Sequence, residues 1–89
     1  MSIEEIFYNK NLELQQKVKD EILSSKKRAS SKNIFQLNTI LEELEKIEKQ
    51  KNITLKYPRI IIDSWDYSDN LGLELIELAK IYGKIKGYE

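Results

Sequence analysis

The chain contains no cysteine and no histidine. Without cysteine, disulfide bonds and thiolate zinc sites are excluded. Without histidine, the commonest general base and the commonest metal ligand of proteins are missing. We therefore expect a protein that is not an enzyme and that uses no metal and no cofactor.

The chain also lacks an excess of charge, because 15 lysines and arginines balance 15 aspartates and glutamates across its 89 residues. The strongly basic field of a typical nucleic-acid-binding domain is therefore absent. No apolar run approaches the roughly 18 residues of a membrane-spanning helix, and no signal-peptide pattern opens the chain. These features predict a soluble, cytoplasmic protein with no membrane span, for which nucleic acid is not the expected partner.

Three segments carry apolar residues at the 3.6-residue period of an amphipathic α-helix, namely residues 2–23, 31–50 and 71–85. A chain of 89 residues accommodates them in one domain, residues 1–89. On a helical wheel, each segment gathers its apolar side chains on one face. The predicted faces are Ile3, Ile6, Phe7, Leu14, Val18 and Ile22 in the first segment, Leu37, Ile40, Leu41, Leu44 and Ile47 in the second, and Leu71, Leu75, Leu78, Ala79, Tyr82 and Ile85 in the third.

Polar residues mark the ends of the predicted helices. Ser2 and Glu5 fit a capping box at the start of the first helix, although Asn9 and Asn11 weaken this helix and permit a start near residue 11. Serines and three adjacent cations within residues 24–31 predict the first connection. The remaining predicted caps are Ser30 or Ser31 for the second helix and Ser68 or Asp69 for the last.

The segment before the last helix has two interpretations. Residues 53–57 alternate between apolar and polar side chains as a strand would, whereas Pro58 suits the first turn of a helix. The isoleucines at 60–62 fit a buried strand or one buried helical turn. We predict a short helix at residues 58–65, because a lone strand would lack a partner. A small hairpin near residues 53–63 is the alternative.

These elements predict an all-α fold, a small up-down bundle of three long helices with a short helix before the last. An α+β fold that contains the hairpin is the alternative. Gly72 and Gly83 lie inside the last predicted helix, where glycine costs about 1 kcal/mol relative to alanine. We therefore expect these glycines to permit the close approach of another helix or of a partner.

Acidic and aromatic residues are concentrated between the short helix and the last helix. With Phe35, which lies opposite the apolar stripe of the second helix, they form a candidate partner-binding set. The set is Phe35, Asp63, Trp65, Asp66, Tyr67 and Asp69. At protein interfaces, rings act as anchors and carboxylates steer a basic partner. A capped turn, with Trp65 in the core and the aspartates in solvent, is the structural alternative.

Two weaker hypotheses concern other chemistry. Asp63, Asp66 and Asp69 recur at every third position, which in a helix would line them along one side, as a divalent-metal or hydrolytic site requires. Lys26, Lys27 and Arg28 form a short basic stretch that would suit phosphate, although a solvated loop is the favoured explanation.

Composition and pattern together predict a non-enzymatic protein-binding module of the inhibitor, antitoxin, bacteriocin-immunity or adaptor type. It would act through its acidic-aromatic surface on a protein partner of basic character. One alternative is a nucleic-acid-associated accessory protein that uses the basic loop at residues 26–32. Another is a self-associating homodimer in which the glycine strip of the last helix packs against its twin.

Overall fold

The computed structural model describes residues 2–27, 32–50, 52–66 and 68–86. Four α-helices follow one another in these ranges: α1 (Ile3–Lys26), α2 (Ile34–Lys49), α3 (Tyr57–Ser64) and α4 (Asn70–Lys86). No strand occurs within them. The prediction of an all-α bundle with a short helix before the last is confirmed, and the hairpin alternative near residues 53–63 is wrong.

Contacts between helices give the order of the bundle. The ring centroids of Phe7 and Tyr82 lie 5.5 Å apart, and the Lys17 ammonium binds the Glu74 carboxylate at 2.9 Å. Because the earlier residue of α1 meets the later residue of α4, these two helices run antiparallel. α1 also contacts α2, while α3 contacts both α2 and α4.

The chain returns from the end of α2 to the start of α4 through residues 52–56 and α3. The Ile53 N–H donates to the Tyr82 hydroxyl at 2.9 Å, and the Tyr57 hydroxyl donates to the Leu75 carbonyl at 2.6 Å. Eight helical residues rise about 12 Å and five non-helical residues reach up to about 17 Å. Together they are long enough to span the roughly 24 Å of a helix of the length of α2, which explains why so short an α3 completes the up-down order.

The core consists of the apolar faces that the helical period predicts. Within these faces, only Ile6 stays largely outside the core, at 43% exposure. Full burial of one leucine or isoleucine is worth about 1.5–3 kcal/mol relative to exposure. The buried apolar residues are Phe7, Leu14, Val18 and Ile22 of α1, Leu37, Ile40, Leu44 and Ile47 of α2, Tyr57 and Ile61 of α3, and Leu75, Leu78, Tyr82 and Ile85 of α4.

Both ends of α1 can be compared with prediction. The Ser2 hydroxyl accepts a hydrogen bond from the Glu5 N–H at 3.2 Å, which confirms the predicted cap and excludes a start near residue 11. The predicted connection at residues 24–31 begins too early, since residues 24–26 are still helical. Ser25 does not break the helix, because its hydroxyl donates to the Lys32 carbonyl at 3.0 Å across the turn.

α2 begins later than predicted. Its N-cap is Asn33, whose side-chain oxygen accepts from the N–H groups of Phe35 at 2.8 Å and Gln36 at 3.2 Å. Ser30 and Ser31, the predicted caps, lie outside the described residues, and neither adjoins the first helical residue. Asparagine is as good a cap as serine, and Asn33 lies closer to the apolar stripe.

The two glycines of α4 differ in their surroundings. A Cβ atom on Gly72 would lie 3.1 Å from Ile61 Cγ2 and 3.2 Å from Trp65 Cε3, closer than ordinary van der Waals contact. The expected close approach is therefore confirmed at Gly72, where α3 and Trp65 meet α4. At Gly83 an added Cβ would have no neighbour within 4 Å among the described residues.

Candidate partner-binding site

The turn between α3 and α4 places Trp65 against the bundle. α3 ends at Ser64, and the half-buried indole ring of Trp65 packs against the hydrophobic core. The indole N–H donates to the Gln36 side-chain oxygen of α2 at 3.2 Å. Trp65 is therefore held in place by the core and by α2. This position agrees with the structural alternative, in which Trp65 belongs to a capped turn between two helices.

Asp69 caps α4, as predicted. One carboxylate oxygen accepts from the Gly72 N–H at 3.0 Å, and the other binds the Lys32 ammonium at 2.8 Å. Burial by itself would raise the pKa of Asp69. The hydrogen bonds from Lys32 and from the N–H groups of Gly72 and Leu71 outweigh that effect, so the pKa of Asp69 lies below its usual value.

Lys32 joins three parts of the chain around the tryptophan. Besides Asp69, its ammonium binds the Glu21 carboxylate of α1 at 3.2 Å and lies 5.2 Å from the ring centroid of Trp65, a cation–π distance. Burial favours a lower pKa for Lys32, but its hydrogen bonds to Asp69 and Glu21 prevail and raise that pKa. Lys32 is therefore a structural cation.

The rest of the predicted basic loop is arranged differently. Lys26 and Lys27 are exposed at the C-terminal end of α1, where the helix dipole favours cations. Arg28 lies outside the described residues. With Lys32 engaged by Glu21 and Asp69, a phosphate role for this loop stays a prediction that depends on the exposed lysines and Arg28.

The other two aspartates are exposed and differ in their partners. Asp63 of α3 pairs with Arg59 at 3.5 Å, an exposed ion pair that contributes little to stability. Asp66 accepts hydrogen bonds from the Ser68 N–H at 2.9 Å and the Ser68 hydroxyl at 2.7 Å, and these lower the pKa of Asp66. Because α3 ends at Ser64, the three-residue spacing does not align the aspartates on a helix. In the described ranges, no three acidic side chains converge in a way that would hold a metal ion.

Two neighbouring pockets meet at Asp66. The first, which we call the Trp65 pocket, is an open depression of about 330 Å³ lined by Lys32, Asn33, Gln36, Ser64, Trp65, Asp66 and Asp69. The second, which we call the Leu73 pocket, is a smaller apolar depression of about 110 Å³ lined by Ile61, Ile62, Asp66, Gly72, Leu73 and Ile76.

The structure brings together only part of the predicted partner-binding set. Trp65, Asp66 and Asp69 line one pocket, and Asp63 lies nearby on α3. Phe35 is 83% exposed, in keeping with its predicted position off the apolar stripe, but it does not line either pocket. Tyr67 lies outside the described residues. A partner-binding role for all of these residues stays a prediction.

The sequence placed Ile62 with Ile60 and Ile61 in a buried strand or a buried helical turn, and this is wrong for Ile62, which is 71% exposed. Leu73, which is 52% exposed, was not singled out from the sequence. Helical geometry offers a signal for both. Three consecutive residues of a helix spread over about 200°, so the isoleucines at 60–62 do not all face one core. Leu73 lies about 200° around α4 from Leu71, which places it opposite the apolar face.

Asp69→Asn is expected to weaken the fold at neutral pH by about 1 kcal/mol, the upper value for a partly exposed ion pair. Asparagine keeps the capping oxygen but loses the charge that binds Lys32. Because the folded-state pKa of Asp69 is lowered, the stabilisation is present above about pH 4 and is lost as pH falls through the folded-state pKa. Urea unfolding across a pH series should show that the difference in the free energy of unfolding between wild type and variant becomes smaller at acid pH. The exposed Asp63→Asn is the control, and a gap that does not change with pH would contradict this account.

Comparisons of the chain with protein-family models, with curated proteins and with solved structures found no match. Within the described part of the chain, no helix has the length and apolarity needed to cross a membrane. The described residues therefore define a structural class, a bundle of four helices with an acidic and apolar surface beside the turn between α3 and α4.

Proposed function

We propose that this protein is a small, non-enzymatic protein-binding module of the inhibitor, antitoxin, bacteriocin-immunity or adaptor type. The proposal is carried by the exposure of Ile62 and Leu73, at 71% and 52%, on two helices beside the same Asp66 carboxylate. Neighbouring exposed apolar side chains rimmed by polar groups are typical of protein interaction sites. The partner would contact this surface, with Phe35 and Asp63 as further contacts.

The contacts that hold Trp65 and Lys32 in place support the same proposal. Trp65 is fixed by Gln36 and Lys32, and Lys32 is itself held by Glu21 and Asp69. A surface whose side chains are already ordered loses less conformational entropy when a partner binds. Trp65 and Lys32 are therefore already placed for a specific contact.

The test is affinity capture from cells of the source organism with the tagged full chain. We expect wild type to retain a specific protein, and Phe35→Ala and Asp66→Lys to retain at least roughly tenfold less of it, since anchors and charges dominate interface energies. Leu23→Ala is the matched control, because Leu23 is 55% exposed on α1 and lines neither pocket. Urea unfolding midpoints close to that of wild type would show that the variants are folded.

Two results would contradict the proposal. One is that wild type retains no protein beyond an empty-tag control. The other is that both variants retain the same protein as well as Leu23→Ala does. If Phe35→Ala and Asp66→Lys instead unfold the domain, these side chains stabilise the fold, and they no longer support a partner-binding role for this surface.

Self-association is a second candidate function. Gly83 is exposed on α4, and the space around it is open among the described residues. Of the predicted glycine strip, Gly72 is already covered by Ile61 and Trp65, so a second copy of α4 would pack at Gly83, where the missing side chain allows a close approach. Sedimentation equilibrium over a range of concentrations should then show a dimer that Gly83→Leu dissociates, and a monomer at every concentration would exclude it.

A further inference from the structure

The Leu73 pocket lies where α3 packs closely against α4 at Gly72. The buried Ile61 and the backbone at Gly72 form its floor, and the exposed Ile62 and Leu73 form its walls. A Cβ atom at residue 72 would lie 3.1 Å from Ile61 Cγ2, so glycine is what lets the two helices come this close. The pocket is therefore a consequence of the packing of the bundle.

The size of the pocket limits what it accepts. Small-molecule sites in proteins enclose about 300–1,000 Å³, which is well above the roughly 110 Å³ of this pocket. An apolar cavity of about 150 Å³ accepts a molecule as small as benzene. The Leu73 pocket therefore has room for one aliphatic side chain and not for a cofactor or a metabolite.

Charge at the rim distinguishes Asp66 from the other two aspartates. Asp63 pairs with Arg59, and Asp69 pairs with Lys32. None of the ion pairs among the described residues involves Asp66, whose hydrogen bonds come from Ser68. These bonds lower the pKa of Asp66, so the carboxylate is charged at neutral pH. A negative charge that no cation of the described residues neutralises thus borders an apolar depression.

We infer that the Leu73 pocket receives a protein segment that presents one branched aliphatic side chain with a lysine or arginine beside it. The aliphatic side chain inserts between Ile62 and Leu73, and the cation binds the Asp66 carboxylate. This inference rests on the proposed function, because it names the chemistry of the partner for the same surface. Insertion of an apolar side chain and a charge-assisted hydrogen bond together give affinity and orientation.

The test begins with a random peptide library displayed on phage and selected on the immobilised full chain. Peptides enriched on wild type should carry Leu, Ile or Val with Lys or Arg beside it. The best peptide is then synthesised in two forms, one with its cation and one with glutamine in that place. Fluorescence anisotropy measures the binding of both forms to wild type, Leu73→Lys and Asp66→Asn. Leu23→Lys is the matched control, because Leu23 is 55% exposed and Leu73 is 52% exposed.

Leu73→Lys is expected to weaken binding of the cationic peptide at least roughly tenfold, and Leu23→Lys to leave it unchanged. Asp66→Asn should weaken binding of the cationic peptide by roughly five- to tenfold and leave that of the glutamine form unchanged, because the two charges are coupled only when both are present. Asparagine keeps an acceptor for Ser68, so the turn is preserved.

Three results of the peptide experiment would overturn the inference. They are enriched peptides without a cation, binding that survives Leu73→Lys, and no enrichment at all. A dimer of the wild-type chain that Leu73→Lys dissociates would show that a second copy occupies the pocket, which also overturns it. If capture of a native protein still depends on Phe35 and Asp66 in any of these cases, the proposed function stands and only the chemistry assigned to its partner fails.

Discussion

Replacing Glu43 by alanine is expected to lower the free energy of unfolding by about 3 kcal/mol, although the substitution removes a charged residue from an amphipathic helix. Glu43 lies on α2 and is only 8% exposed. Its carboxylate accepts from the Lys56 N–H at 2.9 Å and from the Tyr57 N–H at 2.7 Å. Lys56 is the N-cap of α3 and makes no side-chain capping bond of its own. Glu43 therefore supplies from a different helix the acceptor that the start of α3 needs.

The expected loss of about 3 kcal/mol follows from the two backbone N–H donors that Glu43→Ala leaves without an acceptor. Hydrogen bonds to a charged group are worth about 1.5–3 kcal/mol, and a buried donor that loses its acceptor costs about 1–3 kcal/mol. The carboxylate also lies at the N-terminus of α3, where the helix dipole favours negative charge. Loss of two such bonds, offset in part by the better helix propensity of alanine, gives the expected value.

Urea unfolding followed by circular dichroism and by the fluorescence of Trp65 measures this effect. Glu42→Ala is the matched control, because Glu42 is the preceding residue of the same helix and is exposed. A change within about 0.5 kcal/mol is expected for it. Equal stabilities of the two variants would show that the capping bonds contribute nothing. Glu43→Gln should fall between wild type and Glu43→Ala, since it keeps one acceptor without the charge.

The location of the core could be predicted because the spacing of apolar residues along a helix depends on the local sequence alone. Leu37, Ile40, Leu44 and Ile47 lie on one face of any α-helix that contains them, whatever packs against it. Short connections then favour antiparallel neighbours, which fixes the up-down order. Even the alternation at residues 53–57 has a structural counterpart. Ile53 and Leu55 pack against the core while Thr54 and Lys56 are exposed, without any strand pairing among the described residues.

The partners of the buried and half-buried polar side chains could not be predicted from the sequence pattern. Glu42 and Glu43 are the same residue type at adjacent positions of one helix, and only the position of α3 across from Glu43 makes it a buried cap. Lys32 belongs to a basic stretch in sequence, yet in the fold it binds Glu21 and Asp69. The partner of each of these groups is distant along the chain, so local sequence carries no trace of the contact.

Several residues of the candidate site were predicted from the sequence, but their arrangement in space was not. The sequence places Asp63, Asp66 and Asp69 at equal intervals, but α3 ends between the first and the second of them. One aspartate therefore lies on a helix, one in the turn and one at the cap of α4, each with a different partner. The apolar half of the surface depends on the approach of α3 to α4 at Gly72, which is a tertiary feature.

Replacing Asn11 by aspartate is expected to destabilise the fold by at least about 3 kcal/mol at neutral pH, because it buries an unpaired charge. Asn11 is fully buried in α1, although its residue type suggested a weak point of that helix. Its amide donates to the Leu44 carbonyl of α2 at 3.0 Å and accepts from the Gln15 amide at 2.9 Å. Gln15 continues the network to Glu48 at 3.0 Å. Aspartate replaces the donor that faces Leu44 with a charged oxygen, so the bond becomes a repulsion.

The pH dependence of this variant distinguishes a buried charge from a simple loss of packing. Burial beside a carbonyl raises the folded-state pKa of the introduced carboxyl above its unfolded value of about 3.9. Because the folded state then binds the proton more tightly, the variant should regain stability as pH falls from about 7 to about 5. Asn9→Asp is the matched control, an exposed position two residues earlier in α1, and it should stay within about 0.5 kcal/mol of wild type. A variant that is equally weak at both pH values would contradict this account, because a buried charge would then not be the cause of the lost stability.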